Sequence, residues 1–206
     1  MTTQWLKYWD SKESEKLDTL FSVNEGVARE ILYQMNARKE NVVAEIGCGR
    51  GDLISLIENS VSRLYGIDFS QNRIESIKSK ATMLINDSFN IDLKDECIDR
   101  TFCFSLFNFL TLEESIATLE EMIRITRKGG FIFIGDILKD DFEKVFYLKL
   151  RELKISCPEL SFYNARTYEK IINSVISSES NLVVYDTKIA GFVNDAMSFN
   201  ALIWKK

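Results

Sequence analysis

The sequence predicts one α/β domain with a doubly wound, mainly parallel sheet of seven strands, an antiparallel last strand and an N-terminal helical extension. Five short apolar segments alternate with segments of helical periodicity, an order that favours right-handed βαβ units. Two more apolar segments close the chain with no helix between them, so we expect them to be antiparallel partners. The length of 206 residues suits a single core. We therefore treat residues 1–206 as one domain, with a helical cap or lid at 1–38 and an α/β core at 39–206.

The strands are predicted from short apolar runs that end in acids, glycines or amides. These end positions matter because ligands of open α/β sheets bind at the carboxyl ends of the strands. The predicted strands span residues 42–44, 63–67, 83–85, 101–106, 131–134, 182–186 and 199–204.

Capping signals mark the helices between these strands. Two boxes of the form Ser/Thr-x-x-Glu, at 22–25 and 111–114, predict helix starts. Ser70 is placed to cap the helix after the second strand, and Lys128-Gly129-Gly130 is expected to end the helix that begins near 111. Further helices are predicted at 141–153 and 167–176, and residues 191–195 are expected to form a loop or a hairpin excursion.

The composition excludes several classes of function. The chain has no histidine, so mechanisms that need a histidine base, a histidine metal ligand or a Ser-His pair are excluded. The net charge of -5 argues against a nucleic-acid partner, because such binding relies on basic residues that neutralise phosphates. The four cysteines include no Cys-x-x-Cys pair. We therefore expect reduced thiols and no metal site.

The sequence also predicts where the protein resides. No apolar run approaches the roughly 20 residues that a membrane span requires. The first residues lack the basic, apolar and small-residue order of a secretion signal. We therefore expect a cytoplasmic protein, and the sequence leaves its oligomeric state open.

A glycine-rich segment after the first strand is the main candidate for ligand binding. It reads Glu45-Ile-Gly47-Cys-Gly49-Arg-Gly51, and alternate glycines let the backbone turn sharply and approach a ligand closely. The following helix presents free N–H groups to that ligand. A dinucleotide-binding loop reads Gly-x-Gly-x-x-Gly, and its third glycine would fall at Asp52. Acids at 45 and 52 would repel a pyrophosphate, so the segment favours a cationic ligand over NAD.

This segment resembles the first motif of the class I S-adenosylmethionine-dependent methyltransferases, which reads acid-x-Gly-x-Gly-x-Gly. Asp68 and Asp87 follow the second and third strands, spaced roughly 20 residues apart as in that family. The turn at 128–130 and the Phe-Ile-Phe-Ile strand after it also match. The resemblance covers about residues 25–205, and it implies a Rossmann-like core with S-adenosylmethionine as the cofactor.

The resemblance implies a cofactor contact for each motif residue. Asp68 would accept hydrogen bonds from the ribose hydroxyls, and Asp87 from the adenine amino group. Ser105 lies in the predicted fourth strand, whose backbone meets the methionine part of the cofactor in this family. The structural alternatives are a tight turn for the glycine segment and a helix cap for Asp68. The implied cofactor-binding residues are Glu45, Gly47, Cys48, Gly49, Gly51, Asp68, Phe69, Asp87, Ser88, Phe89 and Ser105.

Candidate catalytic residues follow the fourth and fifth strands. Methyl transfer from a sulfonium is an in-line displacement, so the protein mainly orients the acceptor and excludes water. Where a proton must leave, a carboxylate, tyrosine or lysine would act as the base, since histidine is missing. Asp136 is our first candidate for that base, with Asn108 as a second polar contact. Each residue either contacts the substrate or forms hydrogen bonds within its loop.

Aromatic residues near the N-terminus are candidates for a lid. Trp5, Tyr8 and Trp9 recur at helical spacing and form either packing contacts or a cover over the substrate. N-terminal helices of the resembled family often cover the site, which favours the cover. Tyr163 and Arg166 are further candidates for substrate binding.

The expected acceptor is a small molecule or a sugar-linked metabolite, methylated on oxygen or nitrogen. The Asp/Asn-Pro-Pro-Tyr box of methyltransferases that act on DNA bases, glutamine or ribosomal targets is absent after the fourth strand, where the sequence reads Ser105-Leu-Phe-Asn108. The stretches at 133–137 and 199–205 resemble methyltransferases of bacterial surface-polysaccharide and small-metabolite pathways. Three alternatives stay open: a non-catalytic methyltransferase-like binding subunit, a Rossmann-type NAD or nucleotide-sugar enzyme, and an S-adenosylmethionine enzyme that transfers no methyl group.

Overall fold

The computed structural model describes residues 3–189, 192, 194 and 196–206, with only the backbone of Thr3. The strands are β1 (Val42–Ile46), β2 (Arg63–Asp68), β3 (Thr82–Ile85), β4 (Ile98–Phe104), β5 (Thr126–Leu138), β6 (Asn181–Asp186) and β7 (Ser198–Trp204). They form one sheet in the order β3-β2-β1-β4-β5-β7-β6. Strands β1 to β5 pair in parallel, and β7 is antiparallel to both β5 and β6. The predicted doubly wound, seven-stranded fold is confirmed.

Helices cover both faces and the carboxyl-end edge of the sheet. They are α1 (Thr3–Trp9), α2 (Ser14–Asp18), α3 (Glu25–Gln34), α4 (Asp52–Ile57), α5 (Gln71–Glu75), α6 (Leu112–Ile125), α7 (Glu143–Glu152) and α8 (Ala165–Val175). Short 3-10 turns occupy Thr19–Phe21, Leu106–Phe109 and Asp140–Phe142. One face of the sheet packs against α3, α4 and α5, and the other packs against α6 and α8.

The two cores follow from the alternation of side chains along each strand. Val43 and Phe102 face α3 and α4, whereas their neighbours Ala44 and Cys103 face α6 and α8. All four side chains are fully buried. Because both faces are covered, the central strands are nearly all apolar. This burial fixes the register of β1 beside β4, and with it the position of the residues that follow these strands.

The strand order reverses between β1 and β4. The chain leaves β1 toward β2 on one side, whereas β4 pairs with β1 on the other side. Connections that depart in opposite directions leave a crevice at the carboxyl ends of these two strands, which is the usual ligand site of such sheets.

Two predicted helix boundaries are wrong. The first core helix is capped by Asn24 instead of Ser22, because the Asn24 side chain accepts hydrogen bonds from the backbone N–H groups of Gly26 and Val27. Helix α6 ends at Ile125, three residues before the predicted stop at 128–130. Thr126 is already extended and pairs with Ile98 of β4, so strand pairing ends the helix earlier than the glycines would.

Other capping predictions are confirmed. Thr111 and Glu114 form a reciprocal capping box at the start of α6, and Ser70 accepts a hydrogen bond from the N–H of Arg73 at the start of α5.

Strand β4 ends at Phe104, one residue before Ser105, whose left-handed backbone turns the chain into a 3-10 turn. Of the predicted excursion at 191–195, residues 191, 193 and 195 lie outside the described residues.

The predicted cap at 1–38 consists of two parts with different packing. Helices α1 and α2 and the 3-10 turn after them join an aromatic cluster with α7. Helix α3 instead packs on the sheet, where Val27 and Ile31 are fully buried against β1 and α4. The segment that lies over the carboxyl ends of the strands is therefore residues 3–21, which we call the N-terminal cover.

Candidate active site

A cavity opens at the carboxyl ends of β1, β2 and β4. The space within its walls and mouth, open solvent included, is about 720 Å³. The residues that line it come from the N-terminal cover and from the segments after these three strands. They are Trp9, Asp18, Phe21, Val23, Glu45, Gly47, Cys48, Gly49, Arg50, Asp52, Leu53, Asp68, Phe69, Arg73, Phe104, Ser105, Leu106 and Phe109.

The glycine segment after β1 needs its glycines. Gly47, Gly49 and Gly51 all have positive φ, at 74°, 55° and 78°. A Cβ atom on Gly47 would stand 2.9 Å from Leu106, and one on Gly51 would stand 2.9 Å from Ile77. Side chains at these positions would be strained and crowded. The glycines therefore keep the backbone against one wall of the cavity.

Asp68 connects β2 to the glycine segment. One carboxylate oxygen accepts from the N–H of Gly49 and the other from the N–H of Ser70, each at 2.9 Å. The residue is only 6% exposed, and burial raises its pKa despite these bonds. Each oxygen can accept further hydrogen bonds. Asp68 thus shapes the segment and still presents acceptor capacity to the cavity.

Glu45 is a buried acid without a partner on one oxygen. It lines the cavity at 3% exposure, and its Oε2 has no hydrogen-bond partner within the described chain. Burial raises its pKa well above the ordinary value, and the nearby Asp52 and Asp68 raise it further. A buried carboxylate is costly unless it meets a donor or a positive charge. The cavity therefore favours a cationic or hydrogen-bond-donating ligand beside Glu45.

Two acids of the N-terminal cover fix it to the glycine segment and to α5. Both carboxylate oxygens of Asp18 accept from Arg73 at 2.6 Å, and Arg50 lies 3.3 Å from the same carboxylate. Ser70 donates to Asp10 at 2.6 Å. The contacts reach the glycine segment and the start of α5. The cover is thus attached to the elements that would hold a ligand.

The aromatic residues of α1 are buried side chains of this cover. Trp9 lines the cavity, and Arg73 stacks over its ring at 4.4 Å. Trp5 and Trp9 each pack edge-on against Phe109, with ring centroids 4.9 and 5.0 Å away. Tyr8 packs against both tryptophans. Of the three predicted lid residues, only Trp9 is therefore at the wall, and the other two support it.

The residues after β3 lie outside the cavity wall as the described residues form it. The carboxylate of Asp87 accepts a hydrogen bond from the N–H of Ser88. The Ser88 hydroxyl pairs with the hydroxyl of Thr118 on α6 at 2.8 Å. Ser88 is therefore turned toward α6. Phe89 is half-buried beside them.

Asp136 is placed behind the wall. It has no exposed surface, and its Oδ2 accepts from Ser105 at 2.7 Å and from Asn194 at 3.3 Å. Among the described side chains, the cavity wall includes Ser105 but not Asp136. Burial raises the pKa of Asp136 to about 7. Direct contact between this carboxylate and a substrate, as the sequence analysis expected, does not fit that position.

Asn108 fixes the backbone around Asp136. Its Nδ2 donates to the carbonyl of Asp136 at 2.8 Å, and its Oδ1 accepts from the N–H of Leu138 at 2.9 Å. The side chain is fully buried and is used for these two contacts. Asn108 was predicted either to contact the substrate or to form hydrogen bonds within its loop, and the structure contains the loop hydrogen bonds.

The two remaining candidates do not reach the described cavity wall. The hydroxyl of Tyr163 pairs with Ser115 of α6 at 3.1 Å, and its ring packs against Tyr168. Arg166 is exposed in the first turn of α8. Their positions fit roles in packing and at the surface.

Sequence reasoning missed the polar contacts of the cover. Asp18 and Arg73 are 55 positions apart, and no local motif connects them. Phe21 and Phe109 also went unnoticed, because isolated phenylalanines are usually core residues. A pair between cover and core depends on tertiary packing that periodicity does not encode.

The described part of the chain has no cluster of three or more Cys, Asp or Glu side chains placed to bind a metal ion. None of the helices described is both long and apolar enough to cross a membrane.

Comparison with known proteins finds methyltransferases. Residues 44–134 match the methyltransferase domain family. A demethylmenaquinone methyltransferase of Staphylococcus aureus (strain MRSA252) is 27% identical over 134 residues, which cover 59% of this chain and 54% of that protein. A tRNA (carboxymethyluridine(34)-5-O)-methyltransferase of Xenopus tropicalis is 28% identical over 57% of this chain and 19% of that protein. The chain thus spans about half the length of the first relative and much less of the second.

A solved structure has the same fold along nearly the whole chain. Magnesium protoporphyrin IX methyltransferase from Synechocystis PCC 6803, determined with bound S-adenosylhomocysteine, superposes with a TM-score of 0.67. It is 15% identical, and the match covers 98% of each chain. At this identity the likeness concerns the fold.

Proposed function

We propose that this chain, a member of the class I S-adenosylmethionine-dependent methyltransferase family, transfers a methyl group from S-adenosylmethionine to a small-molecule acceptor. The observation that carries the proposal is Glu45, a buried acid with an unpartnered oxygen in a cavity walled by the glycine segment. A ligand with a sulfonium and an ammonium group supplies the positive charge that such a cavity favours.

The residues of the cavity fit that cofactor. The positive-φ glycines would allow its methionine part to lie against the backbone, near Glu45. Asp68 keeps free acceptor capacity for the ribose hydroxyls, and Phe69 offers an apolar contact for the adenine. Asp87, Ser88 and Phe89 would contact the adenine only if the segment after β3 moved toward the cavity. When bound, the sulfonium supplies an activated methyl group and a neutral leaving group.

The protein orients the acceptor and excludes water from the reaction. The aromatic rings of Trp9, Phe21 and Phe109 line the cavity, which would exclude water from the reacting atoms. Positioning of the acceptor in line with the methyl group can contribute roughly 7–11 kcal/mol to the lowering of the barrier. The N-terminal cover therefore acts as a lid in this proposal, held closed by Asp18.

A small acceptor, free or sugar-linked, fits the chemistry of the site. The wall of the cavity combines aromatic rings with acids. Relatives act on different acceptors, since one is a menaquinone-pathway enzyme and another a tRNA methyltransferase by name. The acidic charge of -5 favours the small molecule over the nucleic acid.

A screen with methyl-labelled S-adenosylmethionine tests this function. The purified protein is incubated with fractionated metabolite extracts and separately with bulk tRNA, and transferred label is measured. Label in a small-molecule fraction is expected. Label in tRNA alone would contradict the proposed acceptor class, and absence of transfer despite tight cofactor binding would favour the non-catalytic binding subunit. Label released as a product other than a methylated acceptor would identify another S-adenosylmethionine reaction.

The Glu45→Gln variant provides the matched control for the screen. It keeps the size of the side chain and removes its charge. We expect it to bind the cofactor more weakly and to lose transfer at low cofactor concentration. Transfer that depends on Glu45 is thereby distinguished from activity of a contaminant.

A further inference from the structure

The end of β4 carries a serine whose hydroxyl connects the cavity to a buried carboxylate. Ser105 lines the cavity, and its Oγ donates to Oδ2 of Asp136 at 2.7 Å. Ser105 is 6% exposed and Asp136 is fully buried, so the serine separates the carboxylate from the cavity. The pair lies across adjacent strands, where Phe104 is opposite Gly135.

Both residues have an unusual backbone. Ser105 has φ 63° and Asp136 has φ 55°, so the residue after β4 and a residue inside β5 both adopt the left-handed region without glycine. Such conformations are energetically costly and occur often at functional sites. Asp136 also stands at a bulge of β5, between Ile134 and Ile137. Bulges near active sites commonly redirect a side chain.

The surroundings hold Asp136 in this position from several sides. Asn200 of β7 accepts from its N–H at 3.0 Å, and Asn108 donates to its carbonyl. Asn194 adds a long bond to Oδ2, while Oδ1 has no partner within the described chain. If the left-handed conformation at 136 served only to bend the chain, glycine would be the expected residue. The carboxylate is instead fixed against one hydroxyl at the cavity wall.

We propose that Ser105 is a catalytic residue that accepts the proton of a hydroxyl acceptor, and that Asp136 positions Ser105 and receives the proton behind it. This assignment rests on the proposed function and narrows the acceptor to a small molecule methylated on a neutral hydroxyl. The acceptor proton passes to Ser105 Oγ while the Ser105 proton passes to Asp136 Oδ2. The acceptor oxygen forms its bond to the methyl carbon, and the electron pair of the broken C–S bond stays on sulfur.

Other acids of the described wall are less suited to this role. Each oxygen of Asp68 already accepts from a backbone N–H, and Asp18 is paired with two arginines. Glu45 at the end of β1 and the exposed Asp52 at the start of α4 flank the glycine segment that would hold the cofactor. Asp136 remains as an acid that meets the cavity through a hydroxyl group.

The chemical environment of Asp136 suits a proton acceptor near neutral pH. The described groups that face it and act on its pKa are the hydroxyls of Ser105 after β4 and Ser198 on β7 and the amide of Asn194, and none carries a charge. Burial raises the pKa to about 7. General bases are most effective when their pKa lies near the working pH.

An infrared titration tests the assignment without an acceptor. The carboxylic C=O band of Asp136 is isolated as the difference between wild type and Asp136→Asn, in complexes with S-adenosylmethionine and with S-adenosylhomocysteine. The positive sulfonium should lower the midpoint of the Asp136 titration in the S-adenosylmethionine complex relative to the S-adenosylhomocysteine complex. Ser105→Ala should raise this midpoint, because it removes a hydrogen-bond donor to the carboxylate. Thr101→Val on β4 removes a buried hydroxyl that pairs with the hydroxyl of Thr126 on β5. This variant should leave the midpoint of the Asp136 titration unchanged.

The outcomes separate this assignment from the proposed function. Failure of both adenosyl compounds to bind would overturn the proposed function and the assignment together. Binding of both with equal midpoints, or with no titrating band, would overturn the assignment alone. A midpoint that shifts equally in Ser105→Ala and Thr101→Val would also overturn it, because any loss of packing would then have the same effect.

Turnover supplies the second test, with the hydroxyl acceptor found in the labelled screen. Ser105→Ala and Asp136→Asn should each lower kcat by about 100-fold or more, with little change in the cofactor Kd. Wild-type kcat should rise with pH and level off above about 7, and Asp136→Asn should lose this dependence. An Asp136→Asn enzyme with the wild-type rate, or with the same pH profile, would overturn the assignment, as would an acceptor without a hydroxyl.

Discussion

At the scale of single residues, Asp68 shows how one side chain can shape a site and also bind in it. Its two oxygens accept from the N–H groups of Gly49 and Ser70, so the carboxylate fixes the glycine segment relative to β2. A ribose diol would add donors to the same oxygens. Removal of this carboxylate should therefore disturb both the bonds to the ligand and the shape of the wall.

We expect Asp68→Ala to weaken binding of S-adenosylhomocysteine by roughly 2 kcal/mol, because a bond between a charged acceptor and the ribose hydroxyls is lost. This corresponds to about a 30-fold higher Kd, measured by titration calorimetry. Asp186→Ala is the matched control, since Asp186 is also a strand-end acid but is exposed and pairs with Lys139 at 2.9 Å. Equal affinity of Asp68→Ala and the wild type would rule out the ribose contact.

The sequence predicted the glycine segment and Asp68 because their chemistry is local. Alternate glycines before a helix and an acid at a strand end lie at fixed spacings along the chain. Asp136 was predicted to follow the fifth strand but lies inside β5, and its burial depends on the bulge of that strand and on Asn194 and Asn200, which are distant in sequence. Local patterns find the residues that follow strands, whereas packing decides which of them face the ligand.

At the scale of elements, the N-terminal cover depends on a few polar contacts. Asp18 joins α2 to Arg73 of α5 and to Arg50 of the glycine segment. The apolar side of the cover packs on Phe109 through Trp5 and Trp9. Since the polar contacts end on elements of the candidate cofactor site, opening of the cover and exchange of the cofactor should be coupled.

We expect Asp18→Asn to loosen the cover without disturbing the sheet. A partly buried, charge-assisted contact of this kind contributes roughly 1–2 kcal/mol, which corresponds to roughly 5- to 30-fold faster amide exchange over residues 3–21. Exchange in β1 and β4 should stay unchanged. Hydrogen-exchange mass spectrometry measures both regions in one experiment.

Glu15→Gln controls for the loss of a charge on the same helix, because Glu15 is exposed on α2. It should leave exchange over residues 3–21 unaltered. If Asp18→Asn behaves like Glu15→Gln, the ion pairs do not hold the cover, and the aromatic packing alone accounts for its position.

The elements themselves were predicted more accurately than their ends. All seven strands were located because each is a short apolar run between polar segments. Strand β5 nevertheless begins at Thr126, which was expected in the last turn of the helix, and it includes the predicted turn at 128–130. Its pairing with Ile98 of β4 and the bond between Gly129 N–H and the carbonyl of Lys205 are long-range contacts, which override the local signal.

At the scale of the whole molecule, buried acids near the cavity link stability to pH. Burial raises the pKa of Asp136 from 3.8 to about 7, so the folded protein keeps this proton to higher pH than the unfolded chain does. Below pH 4 both states are protonated, and the group has no effect. Between about pH 4 and 7 the unfolded state alone loses the proton, so the free energy of unfolding falls as pH rises.

The Asp136→Asn variant should not show this fall in the free energy of unfolding. Relative to wild type, the variant should gain up to roughly 4 kcal/mol in free energy of unfolding between pH 4 and pH 8. Urea denaturation of both proteins at the two pH values measures the change, and the other titrating groups cancel in the difference. A difference between the two proteins that is the same at both pH values would contradict a raised pKa for Asp136.

The most direct test of the central claim is a calorimetric titration of the wild-type protein with S-adenosylmethionine, S-adenosylhomocysteine and NAD. The acids at 45, 52 and 68 around the glycine segment favour a cationic ligand and oppose a pyrophosphate. We predict that both adenosyl compounds bind at one site per chain and that NAD gives no heat above dilution. Binding of NAD with no response to either adenosyl compound would contradict the assignment of this cavity.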